Sequence, residues 1–381
     1  MKALVIGGSN GIGLAIAKKL VDQGYFVDII DRVAPEEGVL CHEKSAYHYC
    51  NLLELNEDLM DSFAEDPSLK ILMITAGYGR VADFEYFHVA EIKNMMTVNA
   101  TSVMQILRIF YERIKGEERF YCGIMGSIAG LLTSPSVALY SASKAAIGRF
   151  VESVNIELEM SGTENRILNV SPASFKGSRF YGGENQLDLL EGLAASILDN
   201  LFESKTLFIP QYDEVFKDVL ERYHDAPHEY GIYSYEYKKK SGRLDNHARV
   251  VIGYLSGTFD LFHVGHLNLL RRAKEQCDYL IVGVHVSGAW KGKETFIPYE
   301  ERKQIVAACR YVDRVVESCR EDSDAWNLWH FSKLFVGSDY KGTERFQRYE
   351  EYFKDKNVEI VYFPYTQETS STQIRNVILN S

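Results

Sequence analysis

Short runs of aliphatic and β-branched residues alternate with longer amphipathic stretches along the 381 residues of the chain. The first half contains the runs KALVI, FVDII, ILMITAG, FYCGIMGS and RILNVSP, and the second half contains VVIGYLS, YLIVGVHV, LFVGSD and VEIVYFP. Continuous apolar runs separated by helical patterns are typical of parallel sheets built from βαβ units. The pattern therefore predicts an α/β fold with two Rossmann-like, doubly wound parallel-sheet domains in tandem.

The segment HDAPHEYGIYSYEYKKKSGRLDNHAR lies between the two halves and has little apolar content. It contains Pro227 and a lysine run at 238–240, while its YGIYSYEY stretch alternates as a strand does. We predict a first domain at residues 1–220, a tyrosine-rich linker at 221–248 and a second domain at 249–381. The sequence leaves open whether the linker is an ordered strand or a flexible connection.

Charge and cysteine usage narrow the function classes. The net charge is −11, and neither half offers the basic surface that nucleic acid or anionic lipid requires. No apolar run approaches the roughly 20 residues of a membrane span. The six cysteines form no CxxC pair, as expected for reduced thiols in a cytoplasmic protein. We therefore expect small-molecule chemistry, with no nucleic-acid or membrane partner.

A glycine-rich turn follows the first apolar run and opens a helical pattern. Its residues are Gly7, Ser9, Asn10, Gly11, Ile12 and Gly13. Glycines allow the backbone to approach a pyrophosphate closely, and the start of the following helix offers free N–H groups. Asp31 ends the next apolar run, where a carboxylate can accept both hydroxyls of an adenosine ribose. The pattern predicts a dinucleotide site, although a purely structural strand–helix turn has the same glycines.

Four polar residues downstream suggest proton transfer: Asn99, Ser127, Tyr140 and Lys144. Tyr140 and Lys144 are four residues apart and so share one face of a helix. A lysine ammonium and the charge of a bound cofactor can lower the pKa of a phenol enough for proton exchange near neutrality. Ser127 ends an apolar run and can hydrogen-bond a substrate carbonyl. A surface tyrosine beside a solvated lysine is the simpler interpretation of the pair alone.

With these motifs, residues 1–215 resemble the short-chain dehydrogenase/reductase family. The resemblance implies that Tyr140 is the proton donor or acceptor, that Lys144 activates it and binds the nicotinamide ribose, that Ser127 orients the carbonyl and that Asn99 supports a proton relay. Thr75-Ala76-Gly77 stands where the family has Asn-Ala-Gly, so Ala76 and Gly77 are expected to contact the cofactor, and Pro172-Ala173 replaces Pro-Gly.

These motifs leave open whether the cofactor is NAD(H) or NADP(H) and which residues bind the substrate. Asp31 favours NAD(H), because a 2′-phosphate would meet a carboxylate, whereas the adjacent Arg32 could pair with that phosphate and admit NADP(H). Lys176 and Arg179 follow Pro172 and could bind a substrate phosphate, or they could be ordinary solvated residues.

The second half contains two histidines where a helix is predicted to begin. Gly257, Thr258 and Phe259 follow an apolar run, and His263-Val264-Gly265-His266 comes next. Ring N–H groups three residues apart at a helix start can bind a polyphosphate and stabilise charge at its α-phosphoryl group. A zinc site would need a third ligand at a familiar spacing, and none is present, so we predict no protein-bound metal. A buried structural histidine pair is the remaining alternative.

Further groups that could contact phosphates or substrate follow along the chain: Lys291, Lys293, Arg302, Asp339, Ser370, Ser371, Thr372 and Arg375. Two lysines close together can clamp phosphates. Hydroxyl side chains ahead of a predicted helix can offer O–H donors, and the start of that helix can offer backbone N–H donors. Each of these residues could also be a solvated side chain or a plain helix cap.

Taken together, residues 249–378 resemble the HxGH-type cytidylyltransferases, most closely glycerol-3-phosphate cytidylyltransferase. The resemblance implies that His263 and His266 are catalytic, that Lys291 and Lys293 flank the phosphates and that Arg302 lies near the substrate. Residues Gly257, Thr258, Phe259, Asp339, Ser371 and Thr372 are expected to bind nucleotide. The segment 365–370 replaces the family's Arg-Thr-Glu-Gly-Ile-Ser, so an arginine and a glycine are missing.

The fusion predicts a bifunctional enzyme. One site would reduce a phosphorylated ketose with NAD(P)H, and the other would couple the polyol phosphate to CTP, with Mg²⁺, to give a CDP-alditol for cell-surface polymers. In one alternative the reductase acts after activation by CTP; in another, one domain is a non-catalytic dinucleotide sensor. We also expect a cytoplasmic homodimer, in which tyrosines of the linker contribute to the contact.

Overall fold

The computed structural model describes residues 1–87, 89–173, 175, 177, 185–241, 251–287 and 295–364. The chain divides into two compact units, Met1–Ala248 and Arg249–Ser381. Both are parallel-sheet α/β structures, which confirms the predicted fold class. Within the described residues, no helix is both long and apolar enough to cross a membrane.

The first unit is built on seven parallel strands in the order β3-β2-β1-β4-β5-β6-β7. Their bounds are β1 Lys2–Ile6, β2 Phe26–Asp31, β3 Ser45–Tyr49, β4 Leu69–Ile74, β5 Tyr121–Met125, β6 Ile167–Val170 and β7 Leu207–Phe208. The central strands are buried on both faces, as their unbroken apolar sequences predict. β3 and β7 are short or half-exposed and lack that pattern, so the sequence did not indicate them.

Helices cover both faces of this sheet. They are α1 Gly11–Asp22, α2 Glu57–Ala64, α3 Val89–Met96, α4 Ser102–Ile109, α5 Tyr111–Lys115, α6 Ala138–Met160, α7 Leu187–Phe202, α8 Lys217–Asp225 and α9 Pro227–Lys240. One core packs α1 and α7 against the sheet, and another packs α4 and α6 against the opposite face. A π-helical turn, Thr97–Thr101, joins α3 to α4.

The tyrosine-rich segment is helical, so the strand suggested by its alternating sequence is wrong. α8 and α9 together cover residues 217–240 and belong to the first compact unit. Pro227 occupies the first turn of α9, where the missing N–H costs nothing. Tyr235 of α9 donates its hydroxyl to Asp83, so an element distant in sequence stabilises the helix.

The second unit has five parallel strands in the order β10-β9-β8-β11-β12. The strands are β8 Ile252–Gly257, β9 Tyr279–Val284, β10 Arg314–Glu317, β11 Lys333–Gly337 and β12 Glu359–Phe363. The helices are α10 Val264–Lys274, α11 Tyr299–Ala307, α12 Asp322–Trp329 and α13 Glu344–Phe353. In each unit, strand order reverses beside the first strand of its sheet, β1 or β8. Ligands of open α/β sheets bind at the carboxyl ends of strands at such a switch point.

Gly7 and Gly24 offer a matched test of the turn that begins α1. Both have positive φ, +86° and +92°, but a Cβ on Gly7 would lie 2.4 Å from the backbone nitrogen of Ala76, whereas one on Gly24 would meet nothing within 4 Å. We expect Gly24→Ala to cost about 1–2 kcal/mol of unfolding free energy from φ alone, and Gly7→Ala to cost clearly more. Denaturant unfolding followed by circular dichroism measures both, and equal losses would contradict the close approach.

Candidate active sites

In the first unit, the glycine-rich turn lies at the carboxyl end of β1. The N–H of Gly7 donates to the carbonyl of Ile30 at 2.7 Å, which places the turn beside the end of β2. A Cβ on Gly13 would lie 2.2 Å from the carbonyl oxygen of Gly7, so only glycine fits there. Thr75 explains one departure from the family sequence, because its hydroxyl donates to the carbonyls of Ile6 and Gly7.

Asp31 faces this turn. Its carboxylate accepts the N–H of Ser9 at 3.2 Å and that of Arg32 at 2.7 Å, while the Arg32 side chain is exposed. Asn185, which the sequence gave no reason to select, accepts the N–H of Gly11 at 3.0 Å and donates to the Asn10 side chain at 3.1 Å. This carboxamide therefore lies across the first turn of α1, beside the glycine-rich turn.

The four polar residues predicted to act in proton transfer are buried. Asn99 lies in the π-helical turn, and its carboxamide bonds both the N–H and the carbonyl of Tyr78 and, at 3.0 Å, the hydroxyl of Ser143. A Cβ on Gly77 would lie 3.1 Å from the Lys144 Nζ and 3.2 Å from the Asn99 Oδ1. Gly77 therefore keeps open the space beside both groups.

Tyr140 and Lys144 lie on the same face of α6, as their spacing predicts. The Lys144 Nζ is 5.8 Å from the centroid of the Tyr140 ring and donates to the carbonyl of Met125 at 2.7 Å. Burial lowers the pKa of Lys144 to about 8, because the low-dielectric interior disfavours the ammonium form. Ser127 ends the loop after β5 and accepts the N–H of Ala129 at 3.2 Å. Lys176 and Arg179 lie outside the described residues.

In the second unit, His263 and His266 lie together at the start of α10. Their ring centroids are 4.0 Å apart. The His263 Nδ1 accepts the N–H of Gly265 at 3.0 Å, and the His266 Nδ1 accepts the N–H of His263 at 3.4 Å. Because each Nδ1 is an acceptor, the proton of the neutral ring is on Nε2, which makes each Nε2 an N–H donor. This arrangement suits recognition of a phosphate oxygen.

Burial keeps this histidine pair neutral. Desolvation, with a further contribution from the neighbouring His263, lowers the pKa of His266 to about 4, and desolvation also lowers the pKa of His263. Gly257 ends β8, and Thr258 and Phe259 follow it, with Phe259 held at a φ of +52°. The buried carboxylate of Asp260 accepts the N–H groups of Phe296 and Ile297 at 3.0–3.1 Å. It thereby fixes the backbone just before α11.

Arg302, which we predicted to lie near the substrate, directs its side chain at the backbone. Its side chain is fully buried, and its guanidinium donates to the carbonyls of Ile297, Thr258, His285 and Val286 at 2.5–2.9 Å. The conformation of three segments around the switch point depends on this one side chain. Arg302 therefore stabilises the backbone of the site. A family signature identifies a position, but not whether its side chain faces the ligand or the backbone.

The remaining predicted contacts of the second unit are only partly described. Asp339 lies in a short 3₁₀ turn, Ser338–Tyr340, directly after β11, and its carboxylate is exposed. β11 pairs with β8, so Asp339 and the histidine motif both follow neighbouring strands. Lys291, Lys293, Ser370, Ser371, Thr372 and Arg375 lie outside the described residues. Within the described part of the chain, no group of three His, Cys, Asp or Glu side chains is arranged to hold a metal ion.

The pKa of His266 predicts a pH-dependent stability of the second unit. The folded state holds the ring neutral down to about pH 4, whereas the unfolded chain takes up a proton near pH 6.5. The unfolding free energy of the second unit is therefore highest, as far as His266 is concerned, above pH 6.5. It falls by about 2–3 kcal/mol as the pH drops towards 4. All three tryptophans lie in the second unit, so their fluorescence during denaturant unfolding reports on it. The His266→Asn variant should lose the part of the pH dependence that His266 causes. An unchanged pH dependence of its unfolding free energy would contradict the prediction.

Two family models match the chain, one in each compact unit. The short chain dehydrogenase family model matches residues 1–182, and the Cytidylyltransferase-like model matches residues 254–377. Glycerol-3-phosphate cytidylyltransferase of Bacillus subtilis is 39% identical over 126 residues, which cover 32% of this chain and 92% of that protein. The Staphylococcus aureus enzyme of that name is 35% identical, over 31% of this chain and 88% of its own length.

The first unit has more distant relatives. An uncharacterised oxidoreductase of Schizosaccharomyces pombe is 31% identical over 170 residues, 41% of this chain and 54% of that protein. A short-chain dehydrogenase/reductase from Burkholderia phymatum, solved in complex with NAD, shares the fold with a TM-score of 0.50 and 18% identity, over 58% of this chain and 92% of its own. The chain therefore belongs to the cytidylyltransferase-like enzymes through its second unit, which it joins to a short-chain dehydrogenase domain.

Proposed function

We propose that the chain is a bifunctional enzyme that makes a CDP-alditol in two steps. The first unit reduces a phosphorylated ketose to a polyol phosphate with NAD(P)H, and the second couples that phosphate to CTP. The observation that carries the proposal is the presence, in one chain, of a buried Tyr140–Lys144 pair beside a dinucleotide-type turn and a neutral histidine pair at a helix start. The two family matches support the same combination.

The first unit fits a nicotinamide dinucleotide. Gly7 and Gly13 let the turn pack closely, because a Cβ on either would meet Ala76, Thr75 or the Gly7 carbonyl. Asp31 lies beside this turn, where it can accept ribose hydroxyls. The hydroxyl of Ser9 is buried, and no described residue hydrogen-bonds to it, so a donor or acceptor of the dinucleotide would satisfy it. When bound, the cofactor supplies the hydride. Asp31 favours NAD(H) over NADP(H).

In the reduction, Tyr140 donates its phenolic proton to the carbonyl oxygen as the carbonyl carbon receives the hydride. The Lys144 ammonium stabilises the phenolate that remains, and Ser127 orients the carbonyl through its hydroxyl. Asn99, Ser143 and the backbone of Tyr78 hold the groups around Lys144 in a continuous hydrogen-bonded network. The products are the alcohol and the oxidised cofactor.

In the second reaction, a phosphate oxygen of the polyol phosphate attacks the α-phosphorus of CTP. The bond between the α- and β-phosphates breaks, and pyrophosphate leaves. The Nε2–H groups of His263 and His266 stabilise the negative charge that develops on the phosphoryl oxygens. Gly257, Thr258, Phe259 and Asp339 line the nucleotide side, Lys291 and Lys293 supply positive charge, and Ser371 and Thr372 add hydroxyls. Mg²⁺ arrives with the triphosphate.

The choice of an alditol phosphate rests on the Bacillus subtilis and Staphylococcus aureus relatives of the second unit, which are named for glycerol 3-phosphate, whereas other relatives are named for ethanolamine phosphate. A reductase on the same chain would supply the polyol phosphate locally, which favours a ketose phosphate as its substrate. Ribitol, glycerol, mannitol and arabinitol phosphates all satisfy the chemistry, and we favour a pentitol. The CDP-alditol would serve as a donor for cell-surface polymers. We further propose that the chain acts as a cytoplasmic homodimer.

Mass spectrometry of the reaction products tests the proposal. The full chain is incubated with CTP, Mg²⁺, NADH or NADPH, and separately with D-ribulose 5-phosphate, dihydroxyacetone phosphate and other ketose phosphates. A CDP-alditol that requires both CTP and the reduced cofactor is the expected product. A CDP-linked sugar formed without reduced cofactor and then reduced would establish the reverse order. Absence of any CDP-alditol would overturn the proposal.

A further inference from the structure

Helix α9 contacts the loop that leads into the helix carrying Tyr140. The Lys238 Nζ donates to the hydroxyl of Ser134 at 2.9 Å and to the carbonyl of Pro135 at 2.6 Å. A charged donor to two neutral acceptors at these distances forms strong hydrogen bonds. Only Ser136 and Val137 separate Pro135 from the start of α6 at Ala138. Lys238 therefore fixes the loop a few residues before Tyr140.

A second contact from α9 reaches the same loop through Asp83. The Tyr235 hydroxyl donates to the Asp83 Oδ2 at 3.2 Å, and the Ser136 hydroxyl donates to the Asp83 Oδ1 at 2.8 Å. Asp83 thus bridges α9 and the loop with its two oxygens. The carbonyl of Ser136 also accepts the N–H of Ala82 at 2.7 Å. Three separate segments of the first unit meet at this one carboxylate.

The loop needs such support, because its backbone is strained. Ser136 is buried and has a φ of +64°, a left-handed conformation that residues other than glycine adopt at a cost. Such conformations persist only where surrounding contacts over-determine them. On the far side of the loop, the Ser141 hydroxyl donates to the carbonyl of Ala129, close to Ser127. Along the chain, the loop thus lies between Ser127 and Tyr140, the two residues proposed to bind the substrate carbonyl.

We propose that α9 contributes to the reductase site by holding the loop before Tyr140, with Tyr235 and Lys238 as positioning residues for Tyr140. The inference rests on the proposed role of Tyr140 in reduction. The match to the short chain dehydrogenase model ends at residue 182, so α9 lies beyond the matched residues. The catalytic unit accordingly extends to residue 240, and the segment is not a linker between two finished domains.

α9 and the loop also form two sides of a cavity in the first unit. This cavity has a volume of about 450 Å³, with Thr133 and Pro135 on the loop side and Gly231, Ile232 and Tyr235 on the helix side. Gly231 packs so near the loop that an added Cβ would touch the Thr133 methyl at 3.4 Å. Tyr235 lines this cavity, and Lys238 bonds to the loop beside it.

The test uses the full chain with two substitutions and two matched controls from the same helix. Lys238→Met removes two hydrogen bonds to the loop, and Tyr235→Phe removes one to Asp83. Lys239→Met and Tyr233→Phe make the same chemical changes at exposed positions. The measured quantities are kcat and KM for D-ribulose 5-phosphate and dihydroxyacetone phosphate, the Kd of NADH, and amide hydrogen exchange of residues 133–140. Lys238→Arg, which keeps the charge and donors, is the conservative variant.

We expect Lys238→Met and Tyr235→Phe to lower kcat/KM about ten- to a hundredfold, mainly through kcat, because displacement of a catalytic group by about 1 Å is costly. NADH affinity should stay unchanged, since the glycine turn and Asp31 are on other elements. Exchange at 133–140 should rise in both variants and fall back in Lys238→Arg. Neither control should change any of these quantities.

Several outcomes would overturn the inference. Unchanged exchange at 133–140 in both variants would show that α9 does not hold the loop, and this readout needs no substrate. Unchanged kcat/KM, or a loss of NADH binding together with overall melting, would reduce α9 to an ordinary structural element. Tyr235→Phe keeps the aromatic ring, so it provides a test even if Lys238→Met fails to fold. Full activity of Tyr140→Phe would instead refute the proposed function.

Discussion

Replacing Tyr140 with phenylalanine is expected to lower NAD(P)H-dependent carbonyl reduction by about a hundred- to ten-thousandfold, which is the usual contribution of a positioned acid. The substitution removes one oxygen from a buried ring that packs with Met95, Val137 and Leu139, so the fold should be retained. Initial rates of NADH oxidation with the best ketose phosphate measure the loss. CDP-alditol formation from supplied polyol phosphate and CTP should continue at its normal rate.

The lysine beside Tyr140 gives the same prediction a pH signature. With a pKa of about 8, the Lys144 side chain is charged below pH 8 and loses its proton above it. We therefore expect the reduction rate to fall above about pH 8, as the ammonium that stabilises the phenolate disappears. A Tyr140→Phe enzyme with most of its activity and an unchanged pH profile would exclude Tyr140 as the proton donor.

Replacing His266 with alanine is expected to lower nucleotidyl transfer by about a hundred- to a thousandfold, because one preorganised donor to the developing charge is lost. The Nδ1 of His266 also accepts the backbone N–H of His263, so the substitution removes the acceptor of that N–H as well. Release of pyrophosphate from CTP and a polyol phosphate measures this loss. Reduction of the ketose phosphate by the same preparation is the internal control and should be unchanged.

The two substitutions also test whether the sites are independent. Tyr140→Phe and His266→Ala should each strongly lower one activity and preserve the other, because the residues lie in separate compact units. His266→Asn retains a polar side chain of similar reach and is expected to lose less than alanine. Equal loss of both activities in either variant would contradict two separate sites.

Local sequence was sufficient for much of the fold. Strands such as β1, β4 and β9 are buried on both faces, so burial itself demands the continuous apolar runs that identify them. The glycine turn and the histidine pair are likewise readable, because close backbone approach and helix-start geometry are satisfied within a few residues. The spacing of Tyr140 and Lys144 already placed them on one face of a helix.

Other features depend on partners distant in the chain. The YGIYSYEY segment alternates like a strand but forms part of α9, where Asp83 and the loop at Ser134 and Pro135 supply its contacts. Arg302 matches a family position, yet its guanidinium is enclosed by backbone carbonyls from three segments. Asn185 crosses the glycine turn from 174 residues away in sequence.

The sequence by itself determined the two parallel-sheet units, the position of each motif at a strand end and the chemical types of the reacting groups. These follow from burial and helix-start geometry, which act over short stretches of chain. Only the tertiary structure decided that α9 supports the loop before Tyr140, that Arg302 faces the backbone and that Lys144 and His266 have lowered pKa values. Desolvation and long-range hydrogen bonds depend on what surrounds a side chain in space, and no local pattern encodes those neighbours.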